Sequence, residues 1–140
     1  MGESGMQLAE SQVNSSSLAE VFSAAFMDVS DLDSDSFRVN GEKLTIVVEL
    51  DHQRKYIKFC VLNRLQNINL DEASIILNKM NFEYIFAKFC AIEHAGCLYF
   101  TSHYFMSYKK GLMKYQLVDN FRNFEKVTLE AGITGLGQYF

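Results

Sequence analysis

The sequence predicts an α+β domain of two layers, with helices covering one face of a five-stranded antiparallel sheet in the order α-β-β-β-α-β-β-α. Three observations lead there. Apolar stripes at helical spacing occupy residues 18–29 and 113–128, near the two ends of the chain. Between them lie segments rich in β-branched and aromatic residues, several alternating apolar and polar with a period of two. Short polar turns join these segments, and strands joined that way pair antiparallel. At 140 residues, 49% hydrophobic and 21% charged, the chain is long and apolar enough for one packed core.

Residues 1–15 are polar and read as a flexible lead-in, with the domain proper over 16–131 and a flexible tail over 132–140. Ser17-Leu18-Ala19-Glu20 has the form of a capping box. Leu18, Val21, Phe22, Ala25, Phe26 and Val29 then fall on one helix face. The acidic residues 31–35 end that helix. Phe37 and Val39 lead into Asn40-Gly41, a strong hairpin signal, and Leu44, Ile46, Val48 and Leu50 form one face of the next strand. After a polar turn at 51–54, residues 56–62 return with Ile57, Phe59 and Val61 on one face.

Residues 63–69 read as a loop, and a short helix over 72–80 follows, its start favoured by Asp71 and Glu72. Asn78 and Asn81 mark its end, since Asn tolerates the left-handed conformation that closes helices. Residues 84–92 and 98–106 are the fourth and fifth strands, joined by His94-Ala95-Gly96. Gly111 opens a last helix, on which Met113, Leu117, Phe121, Phe124 and Thr128 recur every three or four residues. The three glycines at 132, 135 and 137 mark the tail.

The charge balance is uneven. Residues 1–35 hold seven acidic and no basic residues, while the rest holds 10 acidic and 13 basic. The small cluster Lys109, Lys110 and Lys114 is not the basic stripe that nucleic-acid binding needs. No apolar run approaches the length of about 20 residues needed to cross a membrane, and no secretory leader is predicted. Cys60, Cys90 and Cys97 form no metal-ligand spacing and read as reduced structural thiols. His94, Cys97 and His103 share the last hairpin, but the chain offers no convergent ligand set, no catalytic triad and no phosphate loop. No cofactor and no enzyme activity are expected.

Strand 84–92 is apolar on both faces, so one face of the sheet lacks a polar surface and calls for a cover. A second subunit answers that need, and the sequence predicts a homodimer. Tyr84, Phe86, Tyr99, Tyr104 and Phe105 are the candidate partner-surface residues. A small-ligand sensor, with a pocket between a helix at 110–129 and the sheet, is the alternative.

The element order, with Ile76-Leu77-Asn78-Lys79-Met80-Asn81-Phe82 and the later Gly111, resembles the YbjN family of bacterial proteins. Those proteins are labelled as candidate sensory transduction regulators, and their fold is similar to that of class I type III secretion chaperones. The likeness spans about residues 17–130 and rests on Asn78, Asn81 and Gly111; the family commonly has Trp where this chain has Met80. It implies a non-enzymatic, cytoplasmic, dimeric protein that binds another protein through apolar surface.

Overall fold

A computed structural model describes residues 5–140. In chain order the elements are β1 (Gln7–Leu8), α1 (Ser15–Ala24), β2 (Asp28–Ser30), β3 (Ser36–Asn40), β4 (Thr45–Asp51) and β5 (Tyr56–Leu65). Then come α2 (Leu70–Glu83), β6 (Lys88–His94), β7 (Cys97–Ser107), β8 (Leu112–Met113) and α3 (Lys114–Leu136). One sheet has six strands in the order β2-β3-β4-β5-β7-β6, every neighbouring pair antiparallel, and β1 with β8 makes a separate two-stranded ribbon. The α+β class holds. The sheet gains a sixth strand, and β1 and β8 now precede the first and last helices.

The sixth strand exists because α1 is shorter than its apolar stripe. Asn14, not Ser17, caps it: the Asn14 side chain accepts the Ser17 N–H, and Ser17 Oγ accepts the Asn14 N–H. At the other end Phe26 adopts φ 64° and reverses the chain. Its N–H bonds the Ser23 carbonyl and the Met27 N–H bonds that of Phe22, the pair of bonds that closes a Schellman motif. Leu18, Val21 and Phe22 stay in the core, while Val29 passes to β2, paired with Val39.

The middle helix is also longer than its apolar pattern predicts. Asn69 accepts the Glu72 N–H and starts it, so Asn78 and Asn81 lie inside α2 rather than at its end. Residues 63–65 belong to β5, and 84–87 connect α2 to β6 instead of beginning a strand. Gly111 does not open α3. At φ 103° it sits in the turn before β8, where an added Cβ would lie 2.9 Å from the Leu8 carbonyl. Residues 5–13 of the lead-in are held there too, since β1 pairs with β8 and Glu10 accepts the Lys110 N–H at 3.0 Å. Residues 1–4 of that lead-in lie outside the described residues.

The tail read over 132–140 is largely the last turn of α3 and a 3₁₀ turn at Gly137–Tyr139. Gly132 is buried beneath Phe140 and Phe100, and Gly135 meets Met80 of α2. Both glycines stay within the helix, and Gly135 permits the close approach of Met80. The Gln66 N–H bonds the Tyr139 carbonyl at 2.7 Å.

The helices share one side of the sheet. Ile46, Val48, Leu50, Ile57, Phe59, Val61, Phe89 and Phe100 face them and are buried. Phe59 meets Phe121 and Phe124 of α3, Phe22 of α1 meets Phe37 and Phe121, and Ser102 bonds Thr128 across β7 and α3 at 2.8 Å.

Candidate functional site

The opposite face of the six-stranded sheet carries no helix. The register orders its side chains in rows, because residues paired across strands point to the same face. One row runs Ser36, Glu49, Lys58, Phe105; the next Arg38, Val47, Cys60, His103, Lys88. Beyond these lie Leu62, Thr101 and Cys90, then Arg64, Tyr99 and Ile92. Tyr56 stands outside the first row, edge-on to Phe105 at 6.3 Å.

The face mixes apolar and charged side chains, with Lys58 and Arg64 on the central strand β5 and Arg38, Glu49 and Lys88 nearer the edges. Leu62 is 54% exposed and Phe105 50%, and Tyr56 and Ile92 also reach solvent. Thr101, in their midst, is buried by its neighbours. Lys58 lies 5.8 Å from the Phe105 ring.

His103 sits between two thiols. Cys60 is its direct partner on β5, and Cys90 Sγ lies 3.9 Å from its Nε2. Burial, aided by the positive charges of Lys58 and Lys88, holds the imidazole below its ordinary pKa. Burial likewise pushes the Cys60 thiol up, with Lys58 opposing.

The sign for stability follows. The fold favours neutral His103, so as pH falls below about 6.5 the unfolded chain takes up the proton first. Stability present above that pH is therefore lost as pH drops toward the lower folded-state value. Melting temperature measured from pH 7.5 down to 5.5 should fall, and His103→Gln should flatten the slope. An unchanged slope in the variant would remove His103 as its source.

The five aromatic residues expected to form one partner surface are divided by the fold. Tyr99 and Phe105 are on the open face. Tyr104 is on the helix side, 5.9 Å from Phe59, and Phe86 stacks on it at 4.4 Å with an interplanar angle of 6°. Burial raises the Tyr104 pKa. Tyr84 meets the edge of Phe89 at 6.2 Å. Strand alternation could not place Tyr84 and Phe86, because they lie in a connection.

Asn78 is exposed on α2. Asn81 instead binds backbone: its amide donates to the Phe89 carbonyl and accepts the Phe89 N–H, both at 2.8 Å. β6 is an edge strand, so this side chain satisfies backbone groups that have no neighbouring strand. Asn81→Ala should cost about 1–3 kcal/mol. It should also speed hydrogen exchange at the Phe89 amide, whereas exchange unchanged there would show that the bonds add no protection.

His94 and Cys97 pair directly at the hairpin end, but His103 lies six residues further along β7, about 20 Å away along an extended strand. The three do not converge. Among the described residues no group of three or more His, Cys, Asp or Glu is placed to hold a metal ion. No helix of the described residues is long and apolar enough to cross a membrane.

The body of α3 fills its contact with the sheet through Leu117, Phe121, Phe124 and Thr128. Space opens instead at its flank, in a groove of about 570 Å³ bordered by the end of α1 and the β3–β4 turn. Phe26, expected on the inner stripe of the first helix, lines it, together with Lys43, Arg122 and Lys126, to which the sequence assigns no role. The spacing of Arg122 and Lys126 by one helical turn was the available signal.

Neither a family model nor a curated protein matches the sequence. The fold does match a solved structure, that of YbjN from E. coli, described as a candidate transcription regulator. The TM-score is 0.71, over 83% of this chain and 86% of that one, at 11% sequence identity. The chain therefore has a YbjN-like fold.

Proposed function

We propose that this chain is a non-enzymatic, protein-binding regulatory module that works as a homodimer through the open face of its sheet. The observation that carries the reading is that large apolar side chains reach solvent along a sheet face without helices, Tyr56 and Phe105 towards one end and Leu62 and Ile92 towards the other. Monomeric surfaces seldom gather large apolar side chains in this way. The likeness to a candidate regulator of the same fold supports the regulatory part.

The rows of the open face suit a second copy. A two-fold axis parallel to the strands, passing between β5 and β7, sets Lys58 of one copy over Phe105 of the other and Arg64 over Tyr99. It also brings Glu49 toward Lys88. Cation–aromatic contacts and two symmetry-related acid–base pairs would then surround Leu62 and Thr101. Such self-complementarity is what an interface related by two-fold symmetry requires.

Light scattering should give twice the chain mass of 16.0 kDa. Leu62→Glu places a charge at the centre of the face and should return the monomer mass, with a folded protomer whose melting temperature no longer depends on protein concentration. A wild-type monomer at high concentration, or a dimer that persists in Leu62→Glu, would refute this arrangement. Regulatory binding predicts a protein captured in fixed stoichiometry and no turnover.

A further inference from the structure

We infer that the groove between α3, the end of α1 and the β3–β4 turn is a binding site for a small carboxylic acid with an apolar body. Its volume of about 570 Å³ lies in the range of small-molecule sites. Its lining combines apolar Phe26, Met27 and Leu129 with cations at Lys43, Arg122 and Lys126, Leu129 continuing the stripe of Arg122 and Lys126 along α3. The site lies on the helix side of the molecule and does not depend on the dimer.

Two features are unfavourable without an occupant. The first is Phe26. Its position in the Schellman motif requires a left-handed backbone, which glycine adopts without strain and phenylalanine does not. The side chain gains no burial in return, being 98% exposed. A strained backbone that holds a large apolar ring in water, on the wall of a groove, is the pattern of a residue kept for contact with a ligand.

The second is the charge arrangement. Arg122 and Lys126 are one turn apart on α3, where like charges repel. Among the described residues neither forms an ion pair. Glu125, between them in sequence, is engaged elsewhere: its carboxylate accepts the N–H groups of Glu42, Lys43 and Leu44. Glu42 is the other acid in the lining. The furrow continuing along α1 and α3 past Arg122 is mixed in charge, with Glu20 and Asp119 beside Lys114, whereas Arg122, Lys126 and Lys43 meet at the groove itself. A carboxylate between Arg122 and Lys126 relieves their repulsion while its apolar body covers Phe26.

The test uses the full chain with 3-phenylpropionate and its neutral isostere 3-phenylpropanamide. The acid should raise the melting temperature by about 5 °C at ten times its dissociation constant, and the amide should have little effect. Amide resonances of residues 26, 43 and 126 should shift on titration. Arg122→Gln with Lys126→Gln should weaken binding by roughly tenfold or more. Phe26→Gly should raise the ligand-free melting temperature and abolish the response to the acid, which separates contact from structure. The inference fails if acid and amide act alike, if resonances shift only elsewhere, if either variant binds as wild type, or if about 10 mM acid has no effect. The dimer mass would be unaffected by any of these failures.

Discussion

Replacing Glu125 with Ala should lower stability by about 3 kcal/mol, because one carboxylate satisfies three backbone donors. Glu125 is buried on α3, and its oxygens lie 3.0, 3.0 and 2.8 Å from the amide nitrogens of Glu42, Lys43 and Leu44. The β3–β4 turn is thereby tied to a helix more than 80 residues later in the chain. Gly41 makes room for the contact, as a methyl group there would overlap the carboxylate. Glu125→Gln keeps one acceptor but turns an amide donor toward the turn, so about half of the loss is expected. Gly41→Ala should destabilise in the same direction by expelling the carboxylate. Urea unfolding curves measure all three; a loss below about 1 kcal/mol in Glu125→Ala would mean that water replaces the carboxylate at the turn.

Phe121→Ala should cost about 4 kcal/mol, the largest effect expected of a single core substitution here. Phe121 is fully buried, its ring centroid 5.0 Å from that of Phe22 and 5.6 Å from that of Phe59. It thus joins α1, β5 and α3 at one point. Truncation removes transfer energy and leaves a cavity that three elements of different direction cannot close together. Phe105→Ala is the control on the open face: the same truncation in the isolated protomer should cost well under 2 kcal/mol, since half the side chain already meets water. Comparable losses at the two positions would contradict the placement of the core on the helix side. Concentration dependence of the Phe105→Ala effect would report on the dimer.

Local patterns were legible in the sequence because they state which face a residue occupies within its own element. The alternation of Ile46, Val48 and Leu50, and of Ile57, Phe59 and Val61, placed these side chains on the buried face. The turn at Ala95-Gly96 and the spacing of Leu117, Phe121, Phe124 and Thr128 were read for the same reason. Periodicity misled where an element stopped early or ran on. Phe26 continues the apolar stripe of α1, but the chain has already reversed there. Gly132 and Gly135 look like helix breakers, yet α3 runs through both, and the missing side chain of Gly135 admits Met80.

Composition and spacing by themselves determined an α+β domain and its helix-facing core; the apolar strand expected at 84–92 begins only at Lys88, and its open face is shared with Lys88, Thr101 and His103. The tertiary structure decided the rest. It placed β5 beside β7, added β2 at one edge and used Asn81 to finish the other. It gathered Leu62, Ile92 and Phe105 on one surface and closed the groove from Phe26, Lys43 and Lys126. The pairing of β5 with β7, the open face and the groove join residues tens of positions apart, and such contacts arise from packing against a common sheet. A repeat within one helix or strand records only its own inner face, so it carries the core but not the surfaces where separate elements meet.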